Sequence, residues 1–171
     1  MEQTSKYQRS IDRLNDALGK EISTTLQYIY FHTIFEDAGY EHLARLMRRI
    51  SIAEMEHIEH IAERILFLNG KVDMNPSHKV QQIDEPVEAF YFAVKLEQST
   101  IDSYNEYSRL CAAEDDAVTH KIFRRCPPRR RNTSTFSAPS GKTSLITAHI
   151  TSPCNPSPTA NTSRKERRES S

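Results

Sequence analysis

The chain has 171 residues, enough for one domain, and its 23 basic and 23 acidic side chains cancel to a formal net charge of zero. No apolar run approaches the roughly 20 residues that span a membrane, and the opening MEQTSKYQRS lacks the apolar core of a signal peptide. Three cysteines, Cys111, Cys126 and Cys154, have no metal-site spacing and indicate free thiols. We therefore expect a cytoplasmic protein with no membrane partner.

The first predicted element is an amphipathic helix with a single acid, Glu21, on its apolar face. Apolar side chains recur at steps of three and four, which is the spacing of one helical face. An unpaired carboxylate in an apolar core costs several kcal/mol, so Glu21 needs a partner that compensates its charge. The stripe consists of Ile11, Leu14, Leu18, Glu21, Thr25, Tyr28, His32 and Phe35.

A second amphipathic helix follows a turn near Gly39, and Glu54 and His57 interrupt its apolar face. Residues three apart on a helix are neighbours, and carboxylate and imidazole groups both bind metals. These two residues therefore predict a pair of metal ligands. The stripe consists of Leu43, Met47, Ile50, Glu54, His57, Ile61, Ile65 and Leu68.

Residues 70–85 contain helix-breaking residues such as Asn75 and Pro76 and predict a long connection. At about 3.3 Å per residue they could extend about 50 Å, enough to traverse a 30-residue helix of about 45 Å. A simple hairpin would need only a few residues. The connection is therefore typical of a helical bundle with a crossover after its second helix.

A third helix is predicted from Pro86, again with one acid, Glu97, in its apolar stripe. Glu21 and Glu54 lie 18 residues before and 15 residues after Gly39, so antiparallel packing brings them within about one helical turn of each other. Glu97 lies near the middle of the third helix, so it comes close to the level of Glu21 and Glu54 whichever way that helix runs. The stripe consists of Phe90, Ala93, Glu97, Ile101 and Tyr104.

Three acids and one histidine at one level of an apolar bundle predict a metal centre. Carboxylates and imidazole can hold two iron ions, and their negative charge offsets the cost of burying the charge of the metal. The alternative is a hydrogen-bonded core histidine beside salt-bridged acids.

From about residue 6 to residue 123 the chain resembles bacterioferritin and its ferritin relatives. The resemblance rests on residues 20–31 (KEISTTLQYIYF), residues 53–70 (AEMEHIEHIAERILFLNG) and Leu96 with Glu97. It implies an all-α, ferritin-like four-helix bundle and a cage of 24 subunits. It also implies a ferroxidase that oxidises ferrous iron with oxygen or peroxide at a di-iron centre and stores the ferric mineral.

The resemblance also implies a role for each site residue. Glu21 would be a terminal ligand of one iron, Glu54 would bridge both irons, and His57 would bind the first. Glu97 would be the terminal carboxylate of the second iron, and Tyr28 a nearby hydrogen-bonding aromatic residue.

Met55 points away from this face because it lies about 100° around the helix from Glu54. In bacterioferritins a methionine at this place in the motif ligates a haem b shared across a two-fold interface, so the resemblance makes Met55 a candidate haem ligand. The alternative is simple interface packing, since the sequence has no second haem feature.

The helical pattern stops after Phe123. Residues 124–171 are rich in Pro, Ser, Thr and Arg, and contain no Glu-x-x-His. We therefore expect two parts, a helical domain in residues 1–123 and a disordered tail in residues 124–171, with the fourth helix missing or degenerate and four of six ligands present. Without that helix, five apolar side chains would be exposed to water: Ile11, Leu14, Ile61, Ile65 and Phe90.

Several interpretations remain open. The abrupt change of composition after Phe123 favours a shifted reading frame, which the coding DNA would reveal. The other interpretations of the tail are a genuine basic tail and a divergent extension, and nucleic-acid binding is not favoured. A rubrerythrin-type peroxidase would carry Cys-x-x-Cys motifs, and a DNA-protecting mini-ferritin would place its ligands between subunits. A non-enzymatic alternative is a haem-bridged or structural helical protein.

Overall fold

A computed structural model describes residues 7–124, and residues 1–6 and 125–171 lie outside the described part. The described chain is helical and has no strand, which confirms the predicted all-α class. None of its helices is both long and apolar enough to cross a membrane. The helices are α1 (Gln8–Asp37), α2 (Glu41–Phe67), α3 (Pro86–Ala113) and α4 (Ala117–Arg124).

Helices α1 and α2 form an antiparallel hairpin around Gly39. This residue has φ +78°, a left-handed conformation that glycine adopts without a steric penalty. The amide of Gly39 donates to the carbonyl of Glu36 at 3.1 Å, and the amide of Tyr40 donates to Phe35 at 2.8 Å. The chain thus reverses within a few residues, and the two predicted stripes face each other.

The connection between α2 and α3 runs along α1 in the same direction, as the crossover prediction requires. The side-chain amide of Asn15 donates to the carbonyl of Lys71 at 3.0 Å, and near the other end the amide of Gln27 donates to Gln81 at 3.0 Å. Gln27 also accepts from the backbone N–H of Gln81 at 2.7 Å. Polar side chains of α1 thereby satisfy backbone groups of a segment that has no regular structure of its own.

Because the crossover spans α1, helix α3 begins beside the hairpin turn and runs antiparallel to α1. Its first residue is Pro86, as predicted, and its fixed φ suits that position. Near the turn the ring of Phe90 stacks on Phe35, with centroids 6.2 Å apart. At the opposite end Arg13 donates to both carboxylate oxygens of Glu114, at 2.6 and 2.9 Å.

Helix α4 begins after a short break, and eight of its residues are described. The carboxylate of Asp116 accepts the N–H of Thr119 at 3.1 Å and caps the helix. Arg64 of α2 donates to Asp116 at 2.9 Å and to the Thr119 hydroxyl at 3.0 Å. A fourth helix, expected to be missing or degenerate, therefore begins at Ala117, before the predicted tail. Apart from Arg124, the predicted tail lies outside the described residues.

The core divides into an upper cluster near the hairpin turn and a lower cluster at the other end. Tyr28, Phe35 and Phe90 belong to the upper cluster, and Tyr104 and Phe123 belong to the lower one. The expected exposure of five apolar side chains is wrong, because α1, α2 and α3 fill the upper cluster and the start of α4 joins them in the lower one. The exposed fractions are Ile11 3%, Leu14 0%, Ile61 2%, Ile65 0% and Phe90 3%.

The Arg13–Glu114 ion pair predicts a pH-dependent contribution to stability. The Arg13 guanidinium lowers the pKa of Glu114 from 4.5 to about 2. A lowered folded-state pKa contributes stability that is complete above the unfolded value and is lost as pH falls from about 4.5 towards 2. We expect Glu114→Gln to lower the free energy of unfolding by roughly 0.5–1 kcal/mol at pH 7, with a difference that shrinks below pH 4.5.

Urea unfolding at pH 7, 5 and 3 measures this difference, and Glu106→Gln, an exposed acid on the same helix, is the control. A Glu114→Gln deficit that stayed constant from pH 7 to pH 3 would contradict the assignment.

Candidate metal centre

Three of the four predicted ligands converge in the interior of the bundle. Glu21, Glu54 and His57 each offer one ligand atom, and these atoms all lie within 4.8 Å of one another. Glu21 and Glu54 are 2% and 3% exposed, whereas His57 is half-buried. The three side chains come from two helices, so the hairpin alone assembles this triad.

The local geometry follows from helix periodicity. Glu54 and His57 are three residues apart on α2, and His57 Nδ1 lies 2.7 Å from Glu54 Oε2. Across the hairpin, His57 Nδ1 lies 3.9 Å from Glu21 Oε2. The imidazole therefore stands between two carboxylates, one on its own helix and one on α1.

Glu97, the fourth predicted ligand, lies outside this 4.8 Å group. It is half-buried on α3, and its Oε1 accepts a hydrogen bond of 2.7 Å from the Tyr28 hydroxyl. Tyr28 is thus the hydrogen-bonding aromatic residue that the resemblance implied. The structure therefore places three of the four side chains in one group. The fourth, Glu97, is hydrogen-bonded to Tyr28 of α1.

A second tyrosine, Tyr104, binds to the site, and its hydroxyl donates to Glu21 Oε1. The sequence placed Tyr104 on the apolar stripe of the third helix but did not predict this role. Tyr104 is 3% exposed, and its ring packs edge-on against Phe123 at a centroid distance of 5.3 Å. A signal was present in the sequence, since Tyr104 follows Glu97 by seven residues just as Tyr28 follows Glu21.

The acids perturb one another because they are buried together. Burial and the neighbouring carboxylates of Glu21 and Glu97 raise the pKa of Glu54 to about 8, and burial raises the pKa of Glu97 to about 7. Burial alone would lower the pKa of His57, but hydrogen bonds with Glu21 and Glu54 raise it to about 10. For Glu21, hydrogen bonds with His57, Glu54 and Tyr104 outweigh the effect of burial and hold its pKa below the usual range.

This donor set fits a metal cation. Buried carboxylates that crowd one another are stabilised by positive charge, and oxygen with imidazole nitrogen is a ligand combination that suits iron. Thr25 lies on the same stripe between Glu21 and Tyr28, and its hydroxyl oxygen is buried with no hydrogen-bond partner. A buried, unpartnered hydroxyl one helical turn after Glu21 on α1 is consistent with a site that holds an ion and its water.

Met55 lies outside the centre, as its position on the helix predicted. Its side chain is 45% exposed, and Leu26, Ile29 and Ile52 are among the other exposed apolar residues of the hairpin. The helical hairpin therefore carries apolar side chains on its outer surface as well as in its core.

Comparison with known proteins agrees with this architecture. The model of the ferritin-like domain family matches residues 11–126. A bacterioferritin from Brucella melitensis is 34% identical over 116 residues, covering 66% of this chain and 70% of the relative. A bacterioferritin from Desulfovibrio desulfuricans is 32% identical over 115 residues, covering 67% of this chain but 64%, less than two thirds, of the relative.

Two solved structures are similar over the same region. Rhodobacter capsulatus bacterioferritin, described with a metal-free dinuclear site and haem iron, has a TM-score of 0.66 and 31% identity, covering 68% of this chain and 72% of that one. Desulfovibrio desulfuricans bacterioferritin, described with its diiron site in different catalytic states, has a TM-score of 0.69 and 31% identity, covering 70% of each chain. On the family match, the sequence identities and the shared helical bundle, the chain belongs to the bacterioferritin group of the ferritin-like family.

Proposed function

We propose that this chain binds ferrous iron between its helices and oxidises it to ferric iron for storage. The convergence of Glu21, Glu54 and His57 within 4.8 Å in the interior of the bundle carries this proposal. Similarity to bacterioferritins with dinuclear sites supports it. In the reaction each ferrous ion loses one electron to oxygen or peroxide.

We take the ligand roles from the family resemblance. Glu21 and His57 would bind the first iron, Glu54 would bridge the two irons, and Glu97 would be the terminal carboxylate of the second. Each carboxylate is an anion, so its attraction to the iron becomes stronger when Fe²⁺ loses an electron and becomes Fe³⁺. The tyrosines keep two of these carboxylates hydrogen-bonded while they bind.

The second metal position is the weaker one. A complete site of this class has two Glu-x-x-His motifs and two further glutamates, so four carboxylates balance two divalent ions. This sequence offers three carboxylates and one histidine for the site. One divalent ion leaves a net charge of −1 and two leave +1, so the second ion has neither full neutralisation nor its imidazole. We therefore propose that oxidation is impaired.

The first test is metal binding by the hairpin triad. We expect His57→Ala to weaken tight Fe²⁺ binding under nitrogen by at least about tenfold, because it removes the only imidazole of the triad. His60→Ala, which removes an exposed imidazole one turn further along α2, is the matched control. Calorimetric titration measures stoichiometry and affinity. Equal affinity in both variants would rule out the proposed centre.

The second test is the oxidation rate. Stopped-flow oxidation of Fe²⁺ should be slow in this chain compared with a version in which a fourth helix carrying Glu-x-x-His replaces residues 124–171. The restored helix supplies the imidazole that the second position lacks, together with a carboxylate, and so completes the ligands of both irons. Equal rates in the two chains would contradict the impairment.

We propose a domain division and an assembly as well. Residues 1–123 form the iron-binding domain and residues 124–171 a separate tail. The domain acts in the cytoplasm as a homo-oligomer, and the family resemblance implies a cage of 24 subunits for a chain whose fourth helix is present.

A second candidate function rests on Met55. Its exposure on the outer surface, with exposed Ile52 one turn before it, supports haem b ligation at an interface between two chains. Met55→Leu should abolish the visible absorption of bound low-spin haem, and Met74→Leu, at another exposed methionine, should leave it unchanged. Haem absorption without ferrous oxidation would favour the non-enzymatic, haem-bridged alternative. Identical haem spectra in both variants would remove Met55 as the ligand.

A further inference from the structure

Two acid–tyrosine pairs are arranged reciprocally across the α1–α3 contact. On α1, Tyr28 follows Glu21 by seven residues, and on α3, Tyr104 follows Glu97 by the same seven. Because the helices are antiparallel, each tyrosine lies level with the acid of the other helix. Tyr28 donates to Glu97 at 2.7 Å, and Tyr104 donates to Glu21.

The two oxygens of Glu21 face different partners. Oε1 accepts the Tyr104 hydroxyl, whereas Oε2 points towards α2 and lies 3.9 Å from His57 Nδ1. Oε2 is therefore the oxygen turned towards the triad. A carboxylate with one oxygen already hydrogen-bonded is restricted in rotation about its terminal torsion, which is otherwise broad.

We propose that Tyr104 is a positioning residue that makes Glu21 bind metal through Oε2 alone. This inference rests on the proposed function, since it requires that Glu21 is a ligand. The Tyr104 hydroxyl holds Oε1 and prevents both oxygens from turning to one metal ion. A hydrogen-bonded ligand of this kind has its orientation fixed before the metal arrives.

The surroundings of Tyr104 keep its hydroxyl in place. The ring is 3% exposed and contacts Phe123 edge-on, with centroids 5.3 Å apart and the planes at 70°. Phenylalanine would keep this packing and remove only the hydroxyl. The chain also offers a matched residue one turn away, because Tyr107 packs edge-on against the same Phe123 at 5.4 Å and donates its hydroxyl to Asp16, outside the centre.

The test uses Co²⁺ as the probe, without iron or oxygen, on the full chain. Visible absorption of Co²⁺ reports the number and geometry of its ligands, which a purely structural role of Tyr104 would not change. We expect Tyr104→Phe to alter the band positions and intensity and to weaken the apparent affinity by about tenfold or more. Tyr107→Phe should leave both as in the parent chain.

Each outcome is informative. If the parent binds Co²⁺ and Tyr104→Phe has the same spectrum and affinity, Tyr104 only fills the core and the positioning role is wrong. If the parent itself binds no Co²⁺, the proposed function fails and this inference fails with it.

If Tyr104→Phe does not fold, a second measurement tests the proposal on the unaltered chain. With Zn²⁺, which is diamagnetic, the Tyr104 hydroxyl proton should stay visible by NMR and protected from exchange, because Oε1 keeps its hydrogen bond. Loss of that protected signal on Zn²⁺ binding would overturn the proposal.

Discussion

Four ionisable groups, Glu21, Glu54, His57 and Glu97, form a layer between two apolar clusters, and the bundle depends on how their charges are compensated. Isolated buried charges each cost several kcal/mol, and like charges at close range cost more. The shifts in pKa follow from this conflict, with Glu54 raised to about 8 and Glu97 to about 7. The layer therefore favours either protons or a metal cation, and the same repulsion that opposes folding favours metal binding.

The antiparallel register of the helices assembles this layer. Crossing along the full length of α1 returns the chain to the hairpin turn, so α3 must run down α1 in the opposite sense. That direction puts Glu97 level with Tyr28 and Tyr104 level with Glu21. A short hairpin after α2 would have reversed α3 and separated these pairs. The side-chain amides of Asn15 and Gln27, which bind the crossover backbone, are therefore part of what positions the site.

Much of this arrangement could be predicted from the sequence because helical periodicity is a local property. The stripes, the turn at Gly39, the crossover and the start of α3 at Pro86 all follow from spacing and helix-breaking residues. The Arg13–Glu114 ion pair and the Tyr104 hydrogen bond could not be predicted from the sequence, because they depend on the register of α3 against α1 to within one turn. The burial of Ile11, Leu14, Ile61 and Ile65 was missed in part because the start of α4 was missed, and its signal is only one capping aspartate, Asp116. The burial of Phe90 was missed because its stacking on Phe35 depends on the register of α3 against α1.

The beginning of α4 supports one half of the centre more than the other. Asp116 fixes the start of this helix through Arg64 and Thr119, and Phe123 then packs against Tyr104, whose hydroxyl holds Glu21. Packing therefore extends from α4 through the Tyr104 ring to Oε1 of Glu21, the oxygen that faces away from the triad. Glu97 has no such support from α4 in the described residues and is held by Tyr28 of α1. The α1–α2 half of the proposed site therefore holds three candidate ligands, Glu21, Glu54 and His57, whereas α3 offers only Glu97. This difference is why we expect metal affinity to divide unequally between the two proposed positions.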